Sequence, residues 1–250
     1  MAGQELTGTT ALVTGASRGF GRAVAVALHT AGANVVAVAR HAEQLGELRH
    51  ELGGALATVA ADVADPVVAG SLLEQYRPKT LVLNAGAAPL MRPIQHHTWD
   101  TFSRNWEVDV RQAFHWIREA LLLPLAPQST VVAMSSGAAL FGSPLSGGYA
   151  GAKAAIRFIT GYAADESLRE GLGIRFVSVL PKLTPATDLG AVAAAAYARR
   201  DGITVDEYLE KLGPGPRPEE VGRQIAELAS SADHLPGAYL LTPKGLSLAP

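Results

Sequence analysis

Three residues in the middle of the chain have the types and spacing for proton transfer. Tyr149 and Lys153 stand four apart in Tyr149-Ala150-Gly151-Ala152-Lys153, and Ser136 precedes the tyrosine by thirteen residues. Positions i and i+4 share one helical face, so the Lys153 ammonium can sit near the Tyr149 phenol. A phenol titrates near pH 10 when unperturbed, and a nearby cation favours its ionised form. That brings proton exchange closer to neutral pH. Ser136 follows the apolar run Val131-Val132-Ala133-Met134-Ser135, at the expected carboxyl end of a strand.

A second cluster is suited to phosphate. Gly15, Ala16, Ser17, Arg18, Gly19, Phe20 and Gly21 follow the apolar run Thr10–Thr14 and open a helical pattern. Glycines permit a tight turn and let backbone N–H groups approach an anion. The following helix adds unpaired N–H groups and the positive end of its dipole. A glycine turn alone is weak, but strand before and helix after make it a dinucleotide signal. The second apolar run ends Val38-Ala39-Arg40, with no acid until Glu43. An acid there would bond a ribose 2′-OH, whereas arginine suits a 2′-phosphate. Arg40 and Arg18 can clamp such a phosphate with charge-assisted bonds. The expected cofactor is therefore NADP(H).

These residues need elements to hold them. Short apolar strands are expected at Thr10–Thr14, Asn34–Ala39, Ala55–Ala60, Thr80–Leu83, Ser129–Met134, Ile174–Leu180 and near Ala238–Leu241. Helices are expected between them: Phe20–Ala31, Glu43–Leu52, from Pro66, Trp99–Leu123, Gly148–Arg169, Asp188–Leu212 and from Pro218. Strands apolar throughout are buried on both faces, and alternation with helices implies a parallel sheet. The expected fold is α/β: one Rossmann-type, doubly wound domain spanning 1–250, with ligands beyond the carboxyl ends of the strands. The chain has 250 residues, 48% apolar and 18% charged, which suffices for one buried core.

Net charge is −2 without basic runs, so neither nucleic acid nor a membrane surface is expected as a partner. The absence of cysteine excludes disulfides and thiolate metal sites. His96 and His97 lie in a polar loop without further ligands at suitable spacing, so no metal is assigned. Met1–Gly8 does not read as a signal peptide, and no apolar stretch is long enough to span a bilayer. A cytoplasmic protein is expected.

The turn Thr14-Gly-x-x-x-Gly-x-Gly21, with Ser136, Tyr149 and Lys153 in order, resembles the short-chain dehydrogenase/reductase family over nearly the whole chain. The resemblance implies an NADPH-dependent oxidoreductase acting on a carbonyl or alcohol. Tyr149 would exchange the proton, Ser136 would hold the oxygen, and Lys153 would tune Tyr149 and bind the nicotinamide ribose. The thirteen-residue interval favours Ser136 over Ser135. Asp62 and Val63 match the adenine contact. Asn84, Ala85 and Gly86 match the family's Asn-Asn-Ala-Gly motif at the adenine ribose, with Leu83 in place of the first asparagine. Pro181 matches the proline after the sixth strand, and Thr184 is the expected contact to the carboxamide. Residues 182–216 are the expected substrate lid, whose alanine-rich stretch suits either a modestly apolar substrate or scaffold packing. A homodimer or homotetramer through the two long helices is expected.

Two positions depart from the pattern. Asp109, in Val108-Asp109-Val110-Arg111-Gln112-Ala113-Phe114, replaces an asparagine that props open its helix and holds a water relaying protons to the lysine. An ionised aspartate keeps the acceptor role and loses the donor role. A water could supply the donor, or the chemistry could change. Lys182 replaces the glycine after Pro181 and could meet an acidic substrate group or solvent. These departures keep a non-redox cyclase, isomerase or dehydratase open as an alternative, and an NADPH-binding regulatory protein without turnover is a third reading.

Overall fold

Runs that are apolar at every residue become the centre of a parallel sheet. A computed structural model describes residues 6–53, 56–231 and 236–250. Its strands are β1 (Thr10–Thr14), β2 (Asn34–Ala39), β3 (Ala57–Ala60), β4 (Thr80–Leu83), β5 (Thr130–Met134), β6 (Arg175–Pro181), β7 (Gly237–Thr242) and β8 (Gly245–Leu248). They lie in the order β3-β2-β1-β4-β5-β6-β7-β8, all parallel except β8, which runs antiparallel to β7. Side chains alternate between the faces. Val13, Val82, Val132 and Val177 pack on one side, and Leu12, Leu81, Val131 and Phe176 on the other.

The helices cover both faces. α1 (Gly19–Thr30), α2 (Ala42–Glu51) and α10 (Pro218–Ser230) pack on the first; α3 (Pro66–Tyr76), α5 (Arg111–Leu122) and α7 (Tyr149–Arg169) pack on the second. The punctuation follows local chemistry. Gly32, at φ +92°, ends α1 and donates to His29 O. Asp65 caps α3 and Pro66 occupies its first turn. The remaining helices are α4 (Trp99–Asn105), the short α6 (Ala138–Phe141), α8 (Asp188–Asp201) and α9 (Val205–Leu212).

Four features differ from expectation. Ala55 lies outside the described residues, and the third strand occupies Ala57–Ala60. The helix expected over Trp99–Leu123 is interrupted by a π turn at Trp106–Val110, which separates α4 from α5. The helix expected over Asp188–Leu212 is two helices. Gly202, at φ +67°, ends α8, and Thr204 with Glu207 forms a capping box that starts α9. β8 was not foreseen: Gly245–Leu248 is a run of only four residues directly after a tight turn. No helix among the described residues is long and apolar enough to cross a membrane.

The strand order reverses between β1 and β4, where the chain crosses from β3 to the other half of the sheet. In sheets of this kind ligands bind in the crevice beyond the carboxyl ends of the strands at such a reversal.

Candidate active site

Thr14, the last residue of β1, organises the crevice. Its buried hydroxyl donates to Gln112 Oε1 at 2.6 Å and accepts from the N–H groups of Asn84 and Ala85 at 2.9 and 3.2 Å. Gln112 Nε2 donates to Ala85 O at 3.0 Å, and Asn84 Nδ2 donates to Thr14 O at 3.2 Å. The glycine turn is thereby tied to the end of β4. Gly15 has φ +65°, and a Cβ there would come within 2.7 Å of Ala85 Cα, so no other residue fits.

The turn fits a dinucleotide phosphate. Gly19 has φ +56° and open space where a Cβ would stand. Arg18 at the head of α1 makes no side-chain cap, and no acid occupies the first turn. The N–H groups there have no competing carboxylate. Ser17 and Phe20 flank this opening, half-buried. Arg40 is exposed just beyond β2. Arg18 is also exposed and pairs with Asp188 at 3.3 Å. Beyond β3, Asp62 is exposed, accepting from Ala64 N at 3.0 Å, and Val63 is buried.

At the other end of the crevice, α7 carries Tyr149, half-buried, and Lys153, 5% exposed. Lys153 Nζ lies 5.6 Å from the centre of the Tyr149 ring and donates to Met134 O at 3.1 Å. It also lies 3.1 Å from Asp109 Oδ2. Burial pulls the Lys153 pKa down, but the charge of Asp109, the nearby Tyr149 and hydrogen bonding toward Asp109 outweigh it. The ammonium is held above its ordinary value. The close approach of the start of α7 to α4 depends on a glycine: a Cβ on Gly148 would collide with Phe102 O.

The two serines divide cleanly. Ser135 is buried and its hydroxyl donates to Lys153 O at 2.7 Å. Ser136 is half-buried and accepts from Ala138 N at 3.2 Å; its own proton has no acceptor among the described residues. Ser136 is therefore the hydroxyl able to meet a ligand.

The departures from the family pattern acquire partners. Asp109 is 1% exposed, and its Oδ1 accepts from Ala87 N at 2.8 Å. Asn105, one turn earlier and equally buried, donates to Ala87 O at 2.7 Å and lies 3.5 Å from Asp109 Oδ1. Sequence reading missed Asn105 and Gln112. Asn105 could have been found from its four-residue spacing to Asp109, which puts both on one face. Lys182 is half-buried, and its Nζ donates to Leu212 O at 2.8 Å and Pro214 O at 3.3 Å. Pro181 O accepts from Gly137 N at 3.0 Å, Thr184 is buried, and Thr187 is spent capping α8. His97 is held by Thr101 and Arg92 O at 3.0 and 3.2 Å, so it braces its loop rather than lying free, while His96 is exposed. In α8, Ala193, Ala194, Ala196 and Ala198 are buried, which makes the alanine run scaffold packing.

A doubly wound sheet with a glycine turn at the strand reversal, and a serine, tyrosine and lysine along the same crevice, defines a nucleotide-dependent oxidoreductase fold. The short chain dehydrogenase family model matches residues 9–197, and the chain belongs to the short-chain dehydrogenase/reductase family of oxidoreductases. It is 32% identical to L-xylulose reductase of Bos taurus over 183 residues, 72% of this chain and 74% of that protein. Against further L-xylulose reductases the matched stretch is 43% of the relative. Among solved structures, L-sorbose reductase of Gluconobacter frateurii, complexed with NADPH and L-sorbose, has a TM-score of 0.80 at 24% identity, covering 97% of this chain and 98% of that one. NAD+-bound xylitol dehydrogenase has a TM-score of 0.83 at 19% identity, covering 96% and 100%. Both likenesses establish the fold.

Proposed function

We propose that this protein is an NADPH-dependent carbonyl reductase or alcohol dehydrogenase with Tyr149 as its acid/base. One observation carries the reading: a buried ammonium, Lys153, sits beneath the Tyr149 ring at the end of the nucleotide crevice. NADPH, when bound, supplies the hydride. The chain's residues do the rest. Tyr149 delivers a proton to the carbonyl oxygen, or removes one from the alcohol. Lys153 stabilises negative charge on the phenol oxygen, and with one proton given to Met134 O and its charge facing Asp109 it can still donate to the nicotinamide ribose. Ser136, with its hydroxyl proton free, holds the reacting oxygen.

Gly15, Ser17, Gly19, Phe20 and Gly21 would hold the pyrophosphate. Asp62, Val63, Asn84, Ala85 and Gly86 would line the adenosine. Pro181 and Thr184 would flank the nicotinamide. Arg18 and Arg40, with no acid between β2 and Glu43, support a 2′-phosphate and hence NADPH over NADH. Residues 182–216 would form the substrate lid. The relatives act, by name, on L-xylulose, L-sorbose and xylitol. A polyhydroxylated ketose, or the matching polyol, is the substrate class they support. Phe158 and Tyr162 stack on the outer face of α7, 57% and 64% exposed, and Phe114 is exposed on the adjoining α5. This apolar surface supports a homodimer or homotetramer through those helices.

The test is direct. NADPH and NADH are titrated by fluorescence, and NADPH absorbance is followed with ketoses, simple ketones and aldehydes, for the parent and Tyr149→Phe. NADPH should bind more tightly and be consumed, and Tyr149→Phe should lose about 100-fold or more, the usual scale of acid–base catalysis. A variant that retains its rate, or a parent that binds neither nucleotide, would sink the reading.

A further inference from the structure

Ala87 stands three residues past Asn84, where the loop leaves β4 for the crevice, and its peptide needs both a donor and an acceptor. Its N–H is taken by Asp109 Oδ1 at 2.8 Å and its C=O by Asn105 Nδ2 at 2.7 Å. Ala87, Asn105 and Asp109 are all at least nine-tenths buried. An amide could make both bonds alone, because it carries an acceptor oxygen and two donor hydrogens. An ionised carboxylate cannot, because it only accepts. A lone Asp109 would leave the Ala87 carbonyl without a donor in a dry setting, and an unmade buried bond is costly. Asn105 removes that cost. With the peptide satisfied, Asp109 directs its other oxygen to Lys153 at 3.1 Å.

We propose that Asn105 is a positioning residue of this active site: it shares with Asp109 the two bonds of the Ala87 peptide, and so allows an acid, rather than an amide, to stand against Lys153. The π turn at Trp106–Val110 follows Asn105 directly and contains Asp109, so the pair spans the point where the helix is widened. Single-turn π segments commonly mark functional positions. Asn105 touches neither Tyr149 nor Lys153; it acts through Asp109 and the Ala87 loop. The inference deepens the oxidoreductase reading above and rests on it for its kinetic consequence.

A four-protein cycle tests it: the parent, Asn105→Ala, Asp109→Asn and the double variant. Each is assayed for NADPH-dependent turnover, for NADPH affinity by fluorescence, and for hydrogen exchange at the Ala87 amide. With Asp109 present, Asn105→Ala should lower kcat about tenfold, a mid-range coupling between neighbours, and speed exchange at Ala87. In the Asp109→Asn background one amide serves both bonds, and the same substitution should cost no more than about twofold. This rescue is not expected of residues that merely fill space. Equal losses in both backgrounds would overturn the proposal. If Asn105→Ala folds only in the double variant, that recovery is the expected coupling, and Asn105→Ser supplies the kinetic comparison. If the parent turns over no carbonyl substrate, the oxidoreductase reading fails separately. Exchange at Ala87 across the four proteins then decides whether the bonds are shared.

Discussion

At the scale of single residues, the unusual object is a lysine with almost no solvent and a carboxylate 3.1 Å away. Burial opposes its charge, and Asp109 with Tyr149 more than compensates, so the Lys153 pKa is raised. The sign has two consequences. A folded value above the ordinary 10.5 contributes stability that is fully present below that pH and lost as pH rises through the folded value. Replacing the acid by an amide removes the largest compensation and leaves the burial. In Asp109→Asn, Lys153 should therefore lose its proton at lower pH than in the parent. The alkaline limb of kcat should move downward with it, since neutral Lys153 no longer supports charge on the Tyr149 oxygen. A kcat–pH profile of both proteins measures this. An alkaline limb that stays in place would mean that Asp109 does not act on Lys153. Asp109 also neutralises part of the field that an unpaired Lys153 would exert on Tyr149, so the acid tempers the lysine as well as anchoring it.

At the scale of elements, the site is held by joints between strand ends and helices. Thr14 at the end of β1 is one such joint, binding α5 through Gln112 and the β4 loop through two N–H groups. Thr14→Val keeps the shape and removes the hydroxyl, stranding one buried acceptor and two donors. Each stranded group costs about 1–3 kcal/mol, and partial relaxation should leave a net loss of about 2–4 kcal/mol. Urea unfolding with an unchanged m-value would read it; a loss below about 0.5 kcal/mol would show that Thr14 is not the joint. The strands were legible in the sequence because every central one is apolar on both faces, and α1 and α3 because glycine and proline punctuate them. Ser136, Tyr149 and Lys153 stood out as candidates by type and order, and the fold places Lys153 beside the Tyr149 ring. The π turn was not legible, because Trp106–Val110 has no breaker residue, and the partners of Asp109 within it, Ala87 and Lys153, lie far off in the chain. For Asn105 the spacing to Asp109 was visible but the bond was not, because its partner is a backbone group 18 residues earlier in the chain. The break between α8 and α9 was written in Gly202 and the Thr204–Glu207 box, but a continuous alanine-rich run masked it.

At the scale of the whole molecule, the segment proposed as a lid is tied to the rest of the site at two points and across its own base at a third. The Tyr197 and Ser143 hydroxyls join α8 to the loop leading into Tyr149. Arg18 and Asp188 join the start of α8 to the glycine turn, but both are well exposed, and such a pair contributes about 0–1 kcal/mol. Lys182 joins the end of β6 to the carbonyl end of α9, where a cation also meets the negative end of the helix dipole. Two charge-assisted bonds from a half-buried ammonium make this the strongest of the three ties. Lys182→Met keeps the apolar stem and removes the charge. The closed arrangement should lose about 1.4 kcal/mol, which is about tenfold in the balance between open and closed. Limited proteolysis within 202–216 should accelerate by a similar factor. The KM for the carbonyl substrate should rise, because closure is now opposed. NADPH affinity and kcat should change much less, since Tyr149, Lys153 and Asp109 lie on other elements. A fall in kcat with KM and proteolysis unchanged would instead assign Lys182 to the chemistry and leave the lid without its principal tie.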